Sequence, residues 1–91
     1  MKVNVVHISI NKPVKRKFNS IASIVINNLS EAKAIEISVN DGVIILPPAI
    51  NGIPVNPFRI DVQPYFFDVE LVVKEDCNIQ VFYASKTEDC I

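Results

Sequence analysis

The chain has 91 residues, of which 49% are hydrophobic and 21% charged, and its formal net charge is −1. This length corresponds to one domain with a thin core, and the near-zero charge gives no general attraction for nucleic acid or anionic membranes. The apolar residues are mostly β-branched, with 14 Ile and 13 Val against 3 Leu. Because β-branched side chains favour strands over helices, the composition predicts a single all-β domain over residues 1–91.

Strand patterns account for most of the chain. Apolar side chains alternate with polar ones, or form short apolar runs, in seven segments bounded by turn residues. In chain order, the predicted strands are residues 2–10, 18–27, 34–40, 43–46, 58–63, 65–73 and 77–84. Seven short strands without a helical period predict an antiparallel β-sandwich of jelly-roll type, with an immunoglobulin-like sandwich as the alternative.

The segments between these strands contain the turn-forming residues. Residues 11–17 are polar and basic and predict an exposed loop, and residues 28–33 are the one place for a helical turn. Asp41-Gly42 predicts a two-residue hairpin turn of type I′. Four prolines make residues 47–57 a predicted surface loop, and residues 85–91 are expected to form a polar tail.

Several segments break the alternation expected of a sheet that has one face in water. The runs Ile24-Val25-Ile26, Val43-Ile44-Ile45-Leu46 and Tyr65-Phe66-Phe67 each place a large apolar side chain on the outward face. Either the curled sheet and its loops cover these side chains, or neighbouring subunits do, and large exposed apolar patches favour the second interpretation. The candidate assembly contacts are Ile45, Pro47, Pro48, Ile50, Ile53, Val55, Phe58, Phe66 and Val72.

A basic cluster provides a second set of candidate contacts, which would be electrostatic. It consists of Lys12, Lys15, Arg16 and Lys17, in a segment (residues 1–17) that has five basic residues and no acidic one. Such a cluster suits an acidic protein surface or a nucleic acid. Because it has no interleaved aromatic side chains on which bases could stack, we expect no nucleic-acid partner.

The residues that support catalysis are sparse. The single histidine, His7, lies between two apolar residues of a predicted strand, which favours a structural role. Asp68 and Glu70 share one strand face at roughly 7 Å. This spacing suits acid/base hydrolysis or a cation, but we favour an ordinary polar face as its explanation. No glycine-rich phosphate loop or nucleophile motif is present. We therefore expect no enzymatic activity, no cofactor and no metal site.

Three further features bear on location and on the alternative function. Cys77 and Cys90 lack the spacing of a zinc site. They are either two free thiols or one disulfide, and both alternatives remain open. We recognise no secretory signal and no membrane span, and expect a soluble protein made in the cytoplasm. The aromatic residues 65–67 could stack on a sugar, so the alternative function is a small module that binds carbohydrate or protein.

Three segments taken in order carry a resemblance to a known kind of protein. They are a hairpin running into two prolines (35–48), an aromatic-aliphatic strand (66–73) and a closing strand (78–83). This order resembles the small β-sandwich virion proteins of tailed bacteriophages. The resemblance implies a non-enzymatic role in capsid decoration, head-fibre anchoring or connection, located in the virion. It also implies repeated copies, with other copies or capsid proteins as partners.

Overall fold

The computed structural model describes residues 2–87, with side chains described for residues 4–85. This part of the chain is all-β and antiparallel and contains no helix, which confirms the predicted fold class. The strands are β1 (Lys2–Ile10), β2 (Val14–Asn28), β3 (Ile35–Val39), β4 (Gly42–Leu46), β5 (Phe58–Ile60), β6 (Phe67–Val73) and β7 (Ile79–Thr87).

Strand β2 connects the two halves of a single hydrogen-bonded sheet, whose order is β1-β7-β2-β6-β3-β4 with β5 paired to β2. Residues 14–18 of β2 pair with β6, whereas residues 23–28 pair with β7. A bulge separates these parts at Ser20, which has a positive φ of 54° and donates its N–H to Asp68 Oδ1 at 2.9 Å. Bulges bend the strand that contains them. The result is a compact fold that is consistent with a sandwich.

One hydrophobic cluster includes side chains from both halves of the sheet. Its members alternate along each strand, as the period of a pleated sheet requires. Burying each side chain contributes about 1.5–3 kcal/mol to folding. The largest fully buried side chains are Ile21, Ile24, Ile26, Ile35, Ile37, Leu46, Leu71, Ile79, Val69, Val73 and Val81.

Asn28, at the end of β2, is a buried polar residue whose amide is fully hydrogen-bonded. Its Nδ2 donates to the backbone oxygens of Lys33, Leu46 and Pro47 at 3.1, 3.2 and 3.1 Å. Its Oδ1 accepts the N–H of Ser30 at 3.0 Å. The Asn28 side chain therefore holds the connection formed by residues 29–34. The predicted helical turn at 28–33 is wrong, because Asn28 continues β2 and does not cap a helix.

The β3–β4 hairpin is confirmed, but its turn lies one residue earlier than predicted. Val39 pairs with Gly42, and positive φ values of 48° and 68° fall on Asn40 and Asp41. Asn40 is also fixed from the side, since its Oδ1 accepts the N–H of Glu70 at 2.8 Å. This register places the inward residues Ile35 and Ile37 opposite Leu46 and Ile44 of β4.

The predicted basic loop is wrong for most of its length. Val14–Lys17 belong to β2, in register with residues 73–70 of β6, so only residues 11–13 connect β1 to β2. Lys15 and Lys17 are tolerated in a strand because their side chains are exposed to solvent. Hydrogen bonds to β6 stabilise a strand here, although the local sequence does not favour one.

Smaller differences occur at the other predicted boundaries. The strand predicted at 58–63 ends at Ile60, and Gln63 instead donates its N–H to the oxygen of Ala22 at 3.0 Å. Residues 85–87 of the predicted polar tail continue β7 and pair with β1. Residues 88–91 lie outside the described part of the chain. Residues 47–57 contain no strand, in agreement with the predicted loop.

We predict that Asn28→Ala lowers the free energy of unfolding by about 2–3 kcal/mol, because three backbone oxygens and one N–H lose their partner in the interior. The measurement is urea unfolding, with a lower midpoint and an unchanged slope. Asn27→Ala is the control. Asn27 is half-buried and makes one side-chain bond to Gln80 at 3.3 Å, so we expect a loss under about 1 kcal/mol. Equal losses would contradict the role given to Asn28.

The position of the turn gives a second prediction. Asp41→Gly should raise stability by up to about 1 kcal/mol, because glycine adopts the positive φ of this position without strain. Glu36→Gly removes the same charge from within β3 and should instead lower stability by about 0.5–1 kcal/mol. Thermal unfolding of both variants checks this, and a destabilising Asp41→Gly would place the turn elsewhere.

Candidate functional site: an uncharged edge of the sheet

Residues 42–58 contain no Asp, Glu, Lys, Arg or His, in a chain that is 21% charged. We call them the uncharged segment. It comprises β4, the proline-rich connection and the first residue of β5. Because charged residues are depleted in the buried centres of protein interfaces, this composition is typical of a contact surface. Seven of the nine predicted assembly contacts lie inside it, and Phe58 is its last residue.

Strand β4 lies at one end of the sheet order and pairs with β3. Val43 and Ile45 project from its outer face and are 67% and 65% exposed. The register aligns Val43 with Ser38 of β3, and Ser38 with Val72 of β6. The predicted contact Val72 is half-buried on this same face. β4 has no lysine, proline or bulge, the devices that commonly protect an edge strand.

The proline-rich connection contains a small hairpin that the sequence analysis did not recognise. Ile50 and Ile53 exchange two backbone hydrogen bonds of 3.0 and 2.9 Å. Asn51 and Gly52 between them have positive φ values of 52° and 77°, as a type I′ turn requires. Ile50 and Ile53 are 64% and 67% exposed at the ends of this turn. The Asn-Gly pair is a strong hairpin signal, and it was present in the sequence.

The other predicted contacts are half-buried. Pro47, Pro48 and Val55 flank the small hairpin, and the oxygen of Pro47 accepts a bond from Asn28. Phe58 packs against the core from β5, where it pairs with Ile26. Phe66 is half-buried just before β6. The structure therefore divides the predicted set into strongly exposed members (Ile45, Ile50 and Ile53) and members that are partly covered by the domain itself.

A second apolar surface lies on the outer face of β1, β7 and β2. His7 stacks on Phe82 of β7, with ring centroids 4.7 Å apart, and Phe82 is paired in turn with Val25 of β2. Val5 is exposed two residues before His7. In this structure, His7 makes a ring-stacking contact with Phe82 at the surface of the sheet. Val5, Val43 and Val62 are exposed apolar residues that were not among the predicted contacts.

The four predicted electrostatic contacts are exposed but do not form one patch. Lys15 Nζ lies 3.7 Å from Glu70 Oε1. Arg16, one position along the strand, points to the opposite side, and its guanidinium lies 5.7 Å from the centre of the Phe18 ring. Lys12 and Arg16 both line an open groove of about 210 Å³ at the β1–β2 turn. The alternation of β2 therefore divides the cluster in two, with Lys15 and Lys17 on one side of the sheet and Arg16 on the other.

The two carboxylates of β6 are engaged in contacts with the sheet. Asp68 accepts the N–H of Ser20 at the bulge, and Glu70 lies beside Lys15. Within the described residues, no three His, Cys, Asp or Glu side chains are grouped closely enough to hold a metal ion. Nor does a helix of membrane-spanning length and hydropathy occur in this part of the chain.

Cys77 is a half-buried thiol between β6 and β7. Its Sγ donates to the oxygen of Ile10 at 3.4 Å. Burial raises the pKa of this thiol above its ordinary value of 9.0, which outweighs the opposing effect of Lys33. A raised pKa keeps the sulfur protonated and weakly nucleophilic near neutral pH. Cys90 lies outside the described residues, so both alternatives, two thiols and one disulfide, stay open.

We predict that Cys77 in a Cys90→Ser variant reacts with iodoacetamide several-fold more slowly in the folded chain than in urea, at about pH 8. Because folding raises the thiol pKa, the neutral thiol stabilises the fold at neutral pH, and this contribution is lost as the pH rises above the pKa of the unfolded chain. A Cys77→Ala variant should lack this alkaline loss. A folded-state rate above the unfolded rate would identify an activated nucleophile instead.

Comparison with family models, with curated protein sequences and with solved structures found no match to the chain.

Proposed function

We propose that the chain is a non-enzymatic structural subunit of a larger protein assembly, of the capsid-associated kind that the resemblance to phage virion proteins implies. The observation that carries this proposal is the uncharged segment. It presents Val43, Ile45, Ile50 and Ile53, each about two-thirds exposed, from backbone that is held by hydrogen bonds. Exposed apolar groups on fixed backbone are typical of surfaces that are covered in the mature assembly.

The energy of covering these side chains favours repeated contacts. Burying the exposed part of one such side chain contributes roughly 1–2 kcal/mol. Four of them would supply roughly 4–8 kcal/mol, which is comparable to the 4–15 kcal/mol cost of lost freedom on association. A single contact of this size holds two proteins weakly. Several copies that bind side by side are held firmly because their contacts act together, as on the surface of a virion.

The state of the polar groups supports a role without catalysis. His7 stacks on Phe82, Asp68 accepts a backbone N–H and burial favours the neutral thiol of Cys77. Each of these side chains has a structural contact, and they lie on different parts of the sheet. The proposal assigns no cofactor. As the resemblance implies, it places the protein in the virion, with other protein subunits as partners and without a nucleic-acid or membrane partner.

The test is sedimentation of the chain in extracts that contain its natural assembly. We expect the wild-type chain to sediment with large particles and an Ile50→Lys/Ile53→Lys variant to remain in the slow fraction, because lysine at both positions opposes burial of this surface. The circular dichroism of the variant should keep its β-type form.

Val62→Lys is the matched control, because Val62 is 72% exposed but lies outside the uncharged segment. It should sediment like the wild type. A wild-type chain found entirely in the slow fraction, or a double variant that still sediments with particles, would overturn the proposal.

A further inference from the structure

We propose that β4 pairs antiparallel with β4 of a second copy of this chain, about a twofold axis at Ile44. This inference builds on the proposed function, since it names the partner at part of the same surface. Three properties of the edge strand carry it: its outward hydrogen-bonding groups, the residues that flank it and its lack of charge.

The outward backbone groups of β4 set the geometry of the pairing. Val39 and Gly42 close the hairpin, and Ile37 and Ile44 form the next hydrogen-bonded pair. The N–H and C=O groups of Val43 and Ile45 therefore point away from β3. An antiparallel copy centred on Ile44 places Val43 opposite Ile45 of the second copy and forms two hydrogen bonds at each of these two pairs.

The residues that flank β4 exclude the neighbouring registers. A pairing centred on Ile45 would place Val43 opposite Pro47, which has no N–H to donate. A pairing centred on Val43 would place Ile45 opposite the carboxylate of Asp41. The register centred on Ile44 avoids both, because every residue from Val43 to Ile45 then meets an apolar residue.

Charge and side-chain shape favour a copy of this chain as the occupant. β4 has no charged residue, and the whole chain has a net charge of −1, so two copies meet without strong repulsion. On the outer face, exposed Val43 packs beside exposed Ile45 of the other copy, the kind of cross-strand pair that stabilises sheets. On the inner face, Ile44, which already packs against the core, meets Ile44 of the second copy.

Analytical ultracentrifugation of the purified chain tests the pairing. We expect the wild type to have twice the 10.2 kDa mass of one chain, and Ile45→Lys to lose this dimer, since lysine is a natural blocker of edge strands. Val62→Lys should remain a dimer. A monomeric wild type at millimolar concentration, or an Ile45→Lys dimer, would overturn the inference.

Disulfide cross-linking tests the register of the pairing. It remains a valid test even if the Ile45→Lys variant fails to fold. In a Cys77→Ala/Cys90→Ser background, Ile44→Cys should cross-link two chains, because residues facing each other at the axis have Cα atoms roughly 4.5 Å apart. Val43→Cys is the control on the same strand. Two copies of residue 43 are separated by roughly 8 Å in this register, too far for a disulfide. Cross-linking by Val43→Cys and not by Ile44→Cys would reject the axis.

The two proposals fail in distinguishable ways. A monomeric wild type that still sediments with large particles overturns the β4 pairing and retains the assembly role. A dimer that never sediments with particles retains the pairing and overturns the assembly role. Ile50 and Ile53 are outside the paired strand, so their lysine variants should leave the dimer intact.

Discussion

The amide of Asn28 joins parts of the chain that are far apart in sequence. Its N–H groups bind the oxygens of Lys33, Leu46 and Pro47, so the end of β2, the 29–34 connection and the end of β4 meet at one side chain. In a low-dielectric interior, a backbone oxygen that lost its bond to Asn28 would have no water to replace it. The direction in which the chain leaves β4 is thereby fixed, and with it the position of the small hairpin relative to the sheet.

Much of the fold was predictable because strand formation depends on local alternation. Ile35, Ile37 and Val39 were expected to share a face, and all three are buried. Residues 14–17, three of which are basic, were assigned to a loop because their place in β2 depends on β6, about fifty residues away in sequence. The burial of Asn28 was equally hidden, since its three acceptors are backbone groups that no sequence pattern reveals.

The candidate surface was predictable in part. The excess of apolar residues on β4 and in the proline segment led to Ile45, Ile50 and Ile53, which are exposed. Phe58 was assigned to the same surface, but β5 pairs with β2 and directs this ring partly toward the core. The turn of the β3–β4 hairpin was misplaced because Asn40-Asp41 and Asp41-Gly42 both suit a type I′ turn. Only the pairing of β3 with β4 decides between them.

The Asn51-Gly52 turn affects how tightly Ile50 and Ile53 would bind a partner in the proposed assembly. Its two hydrogen bonds hold Ile50 and Ile53 in one arrangement before any partner arrives, so docking orders little additional backbone. Affinity at such a preorganised loop depends on rigidity as well as on contact. A change at Gly52, which has a positive φ of 77°, would loosen the arrangement and weaken the proposed docking even though the exposed apolar atoms stay the same.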